Sequence, residues 1–180
     1  LCLIKYIPDL IKAGVISFKI EGRAKSVYYL ANVCGIYKKA ILENDKIDFL
    51  SRELKDKITN RGYTTGFLLG KKAEQNIKDS HFVPRWEFCG QVVDNEIKKN
   101  NNKYNNVLRI KVHNSMKVGD RVEIILPKYD IIKTKIVEMK DVKSKNNIME
   151  AHGGGGGQEI ILEISSKFKI PVFSVLRKYN

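Results

Sequence analysis

A chain of 180 residues with 43% hydrophobic side chains has the material for one domain or two small ones, which excludes a disordered tail. No apolar run approaches the length that spans a bilayer and no charged segment leads to a cleavage site, so neither a membrane helix nor a secretory leader is expected. The formal net charge of +13 favours a polyanionic partner such as RNA, although many Lys, Asn and Ile residues also fit an AT-rich genome.

The opening Leu1-Cys2-Leu3-Ile4 reads as the interior of a longer protein. Ile4, Ile7, Leu10 and Ile11 recur at helical steps and predict a helix over residues 4–13, closed by Gly14 at the left-handed C′ position. Residues 15–20 predict a short strand, and Glu21-Gly22-Arg23 turns the chain. Ser26 is the expected N-cap of a helix whose apolar stripe is Val27, Leu30, Ala31, Cys34, Tyr37 and Ile41. The order helix, strand, helix belongs to a parallel α/β sheet, and one strand needs partners upstream of Leu1. Residues 48–60 predict a weaker amphipathic helix on Phe49, Leu50, Leu54 and Ile58. An ordered irregular segment over 61–70 and a polar loop over 71–80 follow.

From Trp86 the period changes to two. Alternation around Trp86 to Val93, Leu108 to His113, Arg121 to Leu126, Ile132 to Met139, Ile160 to Ile164 and Val172 to Leu176 predicts about six strands. Turn residues at Asn100-Asn101-Asn102, Val118-Gly119-Asp120 and 143–147 separate them. The expectation is a small antiparallel barrel or sandwich over 81–180, after an α/β piece over 1–80. The glycine run 153–157 reads as a flexible loop or linker in which no site is expected.

Three cysteines, Cys2, Cys34 and Cys89, form an odd set without metal spacing, which points to a reducing, cytoplasmic setting. Cys34 on an apolar stripe and Cys89 in a strand read as buried thiols. His81, His113 and His152 lie far apart and give poor support for a zinc hydrolase. Glu21 and Arg23 follow a strand end, where a carboxylate serves as acid, base or orienting group and an arginine grips a carboxylate or phosphate. A structural ion pair is the equal alternative. Lys19 points either toward the same place or into solvent. In the β part Arg109, Lys111, Arg121, Lys133 and Lys135 occupy mostly outward positions, with Trp86 and Tyr104 nearby in sequence. They make either an RNA-binding face or a solvated lysine-rich one.

Several of these stretches are similar to the collagenase-like peptidase family U-32. They are Cys2-Leu3-Ile4, Tyr6-Ile7-Pro8-Asp9-Leu10, Ala13-Gly14-Val15, Ser17-Phe18-Lys19-Ile20-Glu21-Gly22-Arg23, Lys25-Ser26-Val27-Tyr28-Tyr29 and Tyr63-Thr64-Thr65-Gly66-Phe67. Weaker likeness runs through Val118-Gly119-Asp120-Arg121-Val122-Glu123 and Val175-Leu176-Arg177-Lys178. The resemblance implies the tail of a TIM-like barrel, with residues 17–20 as its last strand and 26–44 as its closing helix, followed by a small β-barrel. It implies either a collagenase-like protease or prephenate-dependent hydroxylation of tRNA wobble uridine or rRNA. It further implies an iron–sulfur cluster to which Cys2 contributes one thiolate and upstream cysteines the rest. Prephenate would then suit Arg23. As an isolated segment the chain is expected to be inactive, with residues 1–44 unstable unless another copy, another chain or the missing half covers them.

Overall fold

The computed structural model describes residues 1–70, 82, 84–100 and 103–180. The chain divides into two compact units, Leu1–Arg85 and Trp86–Asn180. The polar loop expected over 71–80, His81, Asn101 and Asn102 lie outside the described residues. Among the described residues no helix is long and apolar enough to cross a membrane.

The first unit is helical. A 3-10 turn at Ile4–Tyr6 leads into α1, Ile7–Lys12, with Pro8 in its first turn, where a missing N–H costs nothing. Gly14 at φ +92° donates to the Ile11 carbonyl and Val15 to that of Leu10, a Schellman closure. Helix α2, Val27–Leu42, starts at Ser26, whose hydroxyl accepts the Tyr29 N–H at 3.2 Å. Helix α3, Ile47–Lys57, buries Leu50 and Leu54, with Ile58 following.

Two expectations change here. Helix α2 buries Tyr28, Asn32, Val33, Ile36 and Ala40, while Val27, Cys34 and Ile41 of the expected stripe are exposed. Leu30, Ala31 and Tyr37 of that stripe are half-buried, and Cys34 is an exposed thiol instead of a buried one. Residues 15–20 form no strand ladder among the described residues, and Ile16 is 99% exposed. A strand needs a neighbour to satisfy its backbone groups, and the barrel tail is accordingly not confirmed.

The second unit is antiparallel throughout. Its strands are β1 (Trp86–Asn100), β2 (Lys103–Val112), β3 (Ser115–Lys117), β4 (Arg121–Ile125), β5 (Ile131–Lys135), β6 (Lys140–Asp141), β7 (Glu150–His152), β8 (Glu159–Ser166) and β9 (Val175–Tyr179). Seven of them form one curled sheet, a half-barrel, in the order β5-β4-β9-β1-β2-β8-β6, and β3 pairs with β7 as a separate ribbon. Strand β1 organises the sheet: residues 86–91 pair with β9 and residues 90–100 with β2. Register shifts at Phe88/Gly90 and Val92/Asp94 mark where it bends. Gly90 belongs at the first bend, because a Cβ there would lie 2.7 Å from Ile110 Cγ2.

One face of the sheet carries the core, including Val92, Leu108, Ile110, Ile124, Ile160 and Leu176. The six expected strands are present with shifted limits. Strand β1 continues through the polar residues 94–100, β5 stops at Lys135, and β9 begins only at Val175.

Candidate nucleic-acid interface

Side chains directly opposite each other on antiparallel strands share a face, so the register locates the basic residues. Arg121 stands opposite Lys135, and Glu123 stands opposite both Lys133 and Arg177. Ile125 faces Val175, Val175 faces Gln91, Gln91 faces Lys111, and Lys111 faces Glu159. Arg109 lies two residues from Lys111 on β2 and so shares its side. Arg109, Lys111, Arg121, Lys133 and Lys135 thus all stand on the face of the sheet opposite the core.

They form two groups separated by β9 and β1. At one end Arg121 and Lys135 form a like-charge cross-strand pair, and Lys133 reaches the Glu123 carboxylate at 3.5 Å. At the other end Arg109 Nε is 3.1 Å from Glu159 Oε2. Of the two aromatic residues considered with them, Trp86 lies at the β9 edge of β1, with its ring centroid 5.5 Å from that of Tyr179 in an edge-on arrangement. Tyr104 sits at the start of β2 under the Lys169 ammonium, away from Arg109 and Lys111.

Between these groups lies a network that sequence reasoning missed. Arg177 is fully buried, donating from Nε and Nη2 to Glu123 Oε2 at 2.8 and 2.6 Å. Its Nη1 lies 3.4 Å from the Tyr129 hydroxyl, and the Trp86 ring stacks 5.1 Å from the guanidinium carbon. Glu123 occupied a polar position in an alternating strand, so no signal in the sequence marked it as buried.

In the first unit Lys19, Glu21 and Arg23 are all exposed. The Glu21 carboxylate accepts the Arg23 backbone N–H at 3.1 Å, and the Lys25 N–H closes on the Gly22 carbonyl at 3.0 Å. The segment is a tight turn, with Ala24 at φ +58°. Gly22 lets it sit against α2, where an added Cβ would lie 2.3 Å from Leu30 Cδ2. The Glu21 carboxylate is thus engaged with backbone. The structure shows a cavity of about 410 Å³, in the second unit, lined by Asp141, Lys143, Gln158, Glu159 and the glycine run.

Cys2 is half-buried; the Tyr37 hydroxyl donates to its Sγ at 3.6 Å and accepts the Leu3 N–H at 3.1 Å. Burial, then the thiol beside it, pushes the Tyr37 phenol well above its ordinary range, and burial does the same for Tyr63. Iron–sulfur clusters take three or four thiolates. Among the described residues no three metal-type side chains converge, and Cys89 lies buried in the other unit. Among the described residues Cys2 therefore lacks the further ligands that a cluster takes. His113 stacks on Phe88 with centroids 4.4 Å apart, and burial lowers its pKa. His152 lies 3.4 Å from Glu150.

Comparison with known proteins identifies the class. The model of peptidase family U32 matches residues 1–78, and that of the peptidase family U32 C-terminal domain matches 84–177. The chain belongs to peptidase family U32. It is 31% identical over 159 residues to the tRNA hydroxylation protein P of Haemophilus influenzae, covering 85% of this chain and 33% of that one. It is 32% identical to an uncharacterized protease of Methanocaldococcus jannaschii, covering 79% and 37%. A collagenase of Porphyromonas gingivalis is 36% identical over 76 residues, 38% of this chain and 21% of that one. The C-terminal domain of a Geobacillus thermoleovorans protein assigned to the U32 peptidases superposes with a TM-score of 0.42 at 20% identity, covering 52% and 93%. The chain spans about a third of the length of the relatives that match most of it.

Proposed function

We propose that the chain takes part in RNA hydroxylation, at a tRNA wobble uridine or in rRNA, and that the second unit holds the RNA. The observation that carries this reading is the Arg121–Lys135 pair, directly opposed on β4 and β5, with three further cations on the same face. Like charges placed opposite each other in a sheet destabilise it, and a polyanion relieves that repulsion. Tyr179 on β9 and Trp86 opposite it on β1 add aromatic rings on which unpaired bases stack. Similarity to tRNA hydroxylation proteins over 71–85% of the chain supports the same reading.

In this proposal the hydroxylation chemistry belongs to the longer protein and the work is cytoplasmic. Arg23, exposed in its turn, can grip a carboxylate of a dicarboxylic acid such as prephenate in two parallel hydrogen bonds. Glu21 orients that turn, and Lys19 adds charge beside it. Cys2 would be one thiolate of a cluster completed from outside these residues. Residues 17–20 and 26–44 would be the last strand and closing helix of a barrel, with Ile16 and the exposed Val27 and Ile41 covered by its other strands or by a second chain.

A second reading, a collagenase-like protease with the β unit as a substrate-binding accessory, is supported by the similarity to the archaeal protease. Mass spectrometry of tRNA and rRNA from a strain lacking the whole gene separates them. The proposal expects loss of a hydroxylated uridine. Unchanged RNA together with lost gelatin degradation would favour the protease.

A further inference from the structure

We propose that the Lys99–Tyr104 end of the β1–β2 pair and residues 167–169 form a second RNA contact, one that stacks an unpaired base. This rests on the RNA-binding reading above and adds a site distinct from the basic sheet face. At this end Lys99 stands opposite Tyr104, and Tyr104 opposite Ser166. The chain after Ser166 folds back over them, so that Lys169 Nζ lies 5.6 Å from the Tyr104 ring centroid. Lys167, Phe168 and Lys169 are all exposed, Phe168 to 46%, and Lys103 adds a further exposed cation. Lys98, on the other side of the β1–β2 pair, is engaged with Glu96 at 3.1 Å.

A loop of exposed charges is usually loose, but this one is held. The fully buried Asn106 donates from Nδ2 to the carbonyls of Ile164, Tyr104 and Phe168 at 3.1, 3.3 and 3.3 Å. Its Oδ1 accepts the Ile170 N–H at 2.9 Å. The Ser166 hydroxyl accepts the Phe168 N–H at 2.8 Å and donates to the Phe168 carbonyl at 2.7 Å. Both backbone groups of Phe168 are thus tied down while its ring remains in solvent. A rigid exposed ring among lysines suits a ligand that offers a π-face and negative charge together, which describes an unpaired nucleotide. A base-paired stem offers charge without the free face. The site lies roughly 17 Å along β2 from Arg109, five residues at a strand's rise, and on the other face of the sheet, so an RNA that touches both passes around the end of the β1–β2 pair.

The test uses the 180-residue chain and two labelled RNAs of equal length, a hairpin with a seven-nucleotide loop and a fully paired duplex. Phe168→Ala is expected to weaken hairpin binding about tenfold and duplex binding less than twofold, with Phe168→Trp restoring the hairpin. Equal losses on both RNAs, or no loss on the hairpin, would overturn the proposal. Hairpin binding that survives Phe168→Ala but falls with Arg121→Ala and Lys135→Ala together leaves the sheet-face reading standing and sinks this one. A native chain that binds neither RNA sinks both. Gelatin binding abolished by Phe168→Ala, with RNA affinity unchanged, overturns it in favour of a protein partner.

Discussion

Arg177 and Glu123 form a fully buried ion pair across β9 and β4, with two guanidinium nitrogens on one carboxylate oxygen. Glu123→Ala strands the Arg177 charge in the interior and should lower stability by about 3–5 kcal/mol. Arg177→Ala should cost less, because Glu123 keeps Lys133 at 3.5 Å. Replacing both with Leu and Met should cost much less. Trp86, the single tryptophan, sits over Arg177, so its fluorescence in urea titrations reports the loss at the site itself.

The glycine run 153–157 is not uniformly slack. A Cβ on Gly153 would lie 1.7 Å from the His113 carbonyl oxygen, whereas Gly154 has open space. Gly153→Ala should destabilise the second unit by about 1–3 kcal/mol, as overpacking does, and Gly154→Ala by less than about 0.5 kcal/mol. Thermal melts of the two variants give the comparison. Equal, negligible effects would restore the linker reading.

The thiols should react in a fixed order. Burial pushes Cys89 up to about 12, leaving on the order of one part in ten thousand as thiolate at pH 8. Cys34 is exposed. Brief alkylation followed by peptide mass spectrometry should label Cys34 and spare Cys89 until denaturant is added.

Asp141 accepts the Ser144 and Lys143 N–H groups and the Gln158 amide, and these bonds, Ser144's foremost, lower its pKa to about 2. A carboxyl depressed below its unfolded value of 3.8 stabilises the fold above that value, and the effect fades as pH falls toward 2. Asp141→Asn should thus cost stability at pH 7 and little near pH 2. A penalty constant across that range would contradict the assignment.

The period-two alternation made the second unit legible, because a half-buried sheet imposes it on Leu108, Ile110 and Val112 or Val122 and Ile124. It also put the five basic residues mostly at outward positions. It could not show that β1 runs on to Asn100, since Asp94-Asn95-Glu96 has poor strand propensity and is carried by pairing with β2. Nor could it reveal Glu123 and Arg177 as buried, because their main partnership runs across 54 residues of sequence. The caps at Gly14 and Ser26 were legible because their signals are local. Residues 15–20 carry a strand's pattern without a strand's partners, and pattern alone makes no ladder.

Lys135→Glu tests the central claim most directly, because it replaces the repulsion with Arg121 by an attractive cross-strand pair. The substitution should leave the fold as stable as before or raise it by about 0.2–1 kcal/mol, while weakening tRNA binding. The measurement is tRNA affinity as a function of salt between about 50 and 200 mM, for native and substituted chains. The expected result is a slope of log affinity against log salt that falls by about 1–2, with binding weakened across sequences alike. Unchanged slope and affinity in a stable Lys135→Glu protein would contradict the assignment of this face to RNA.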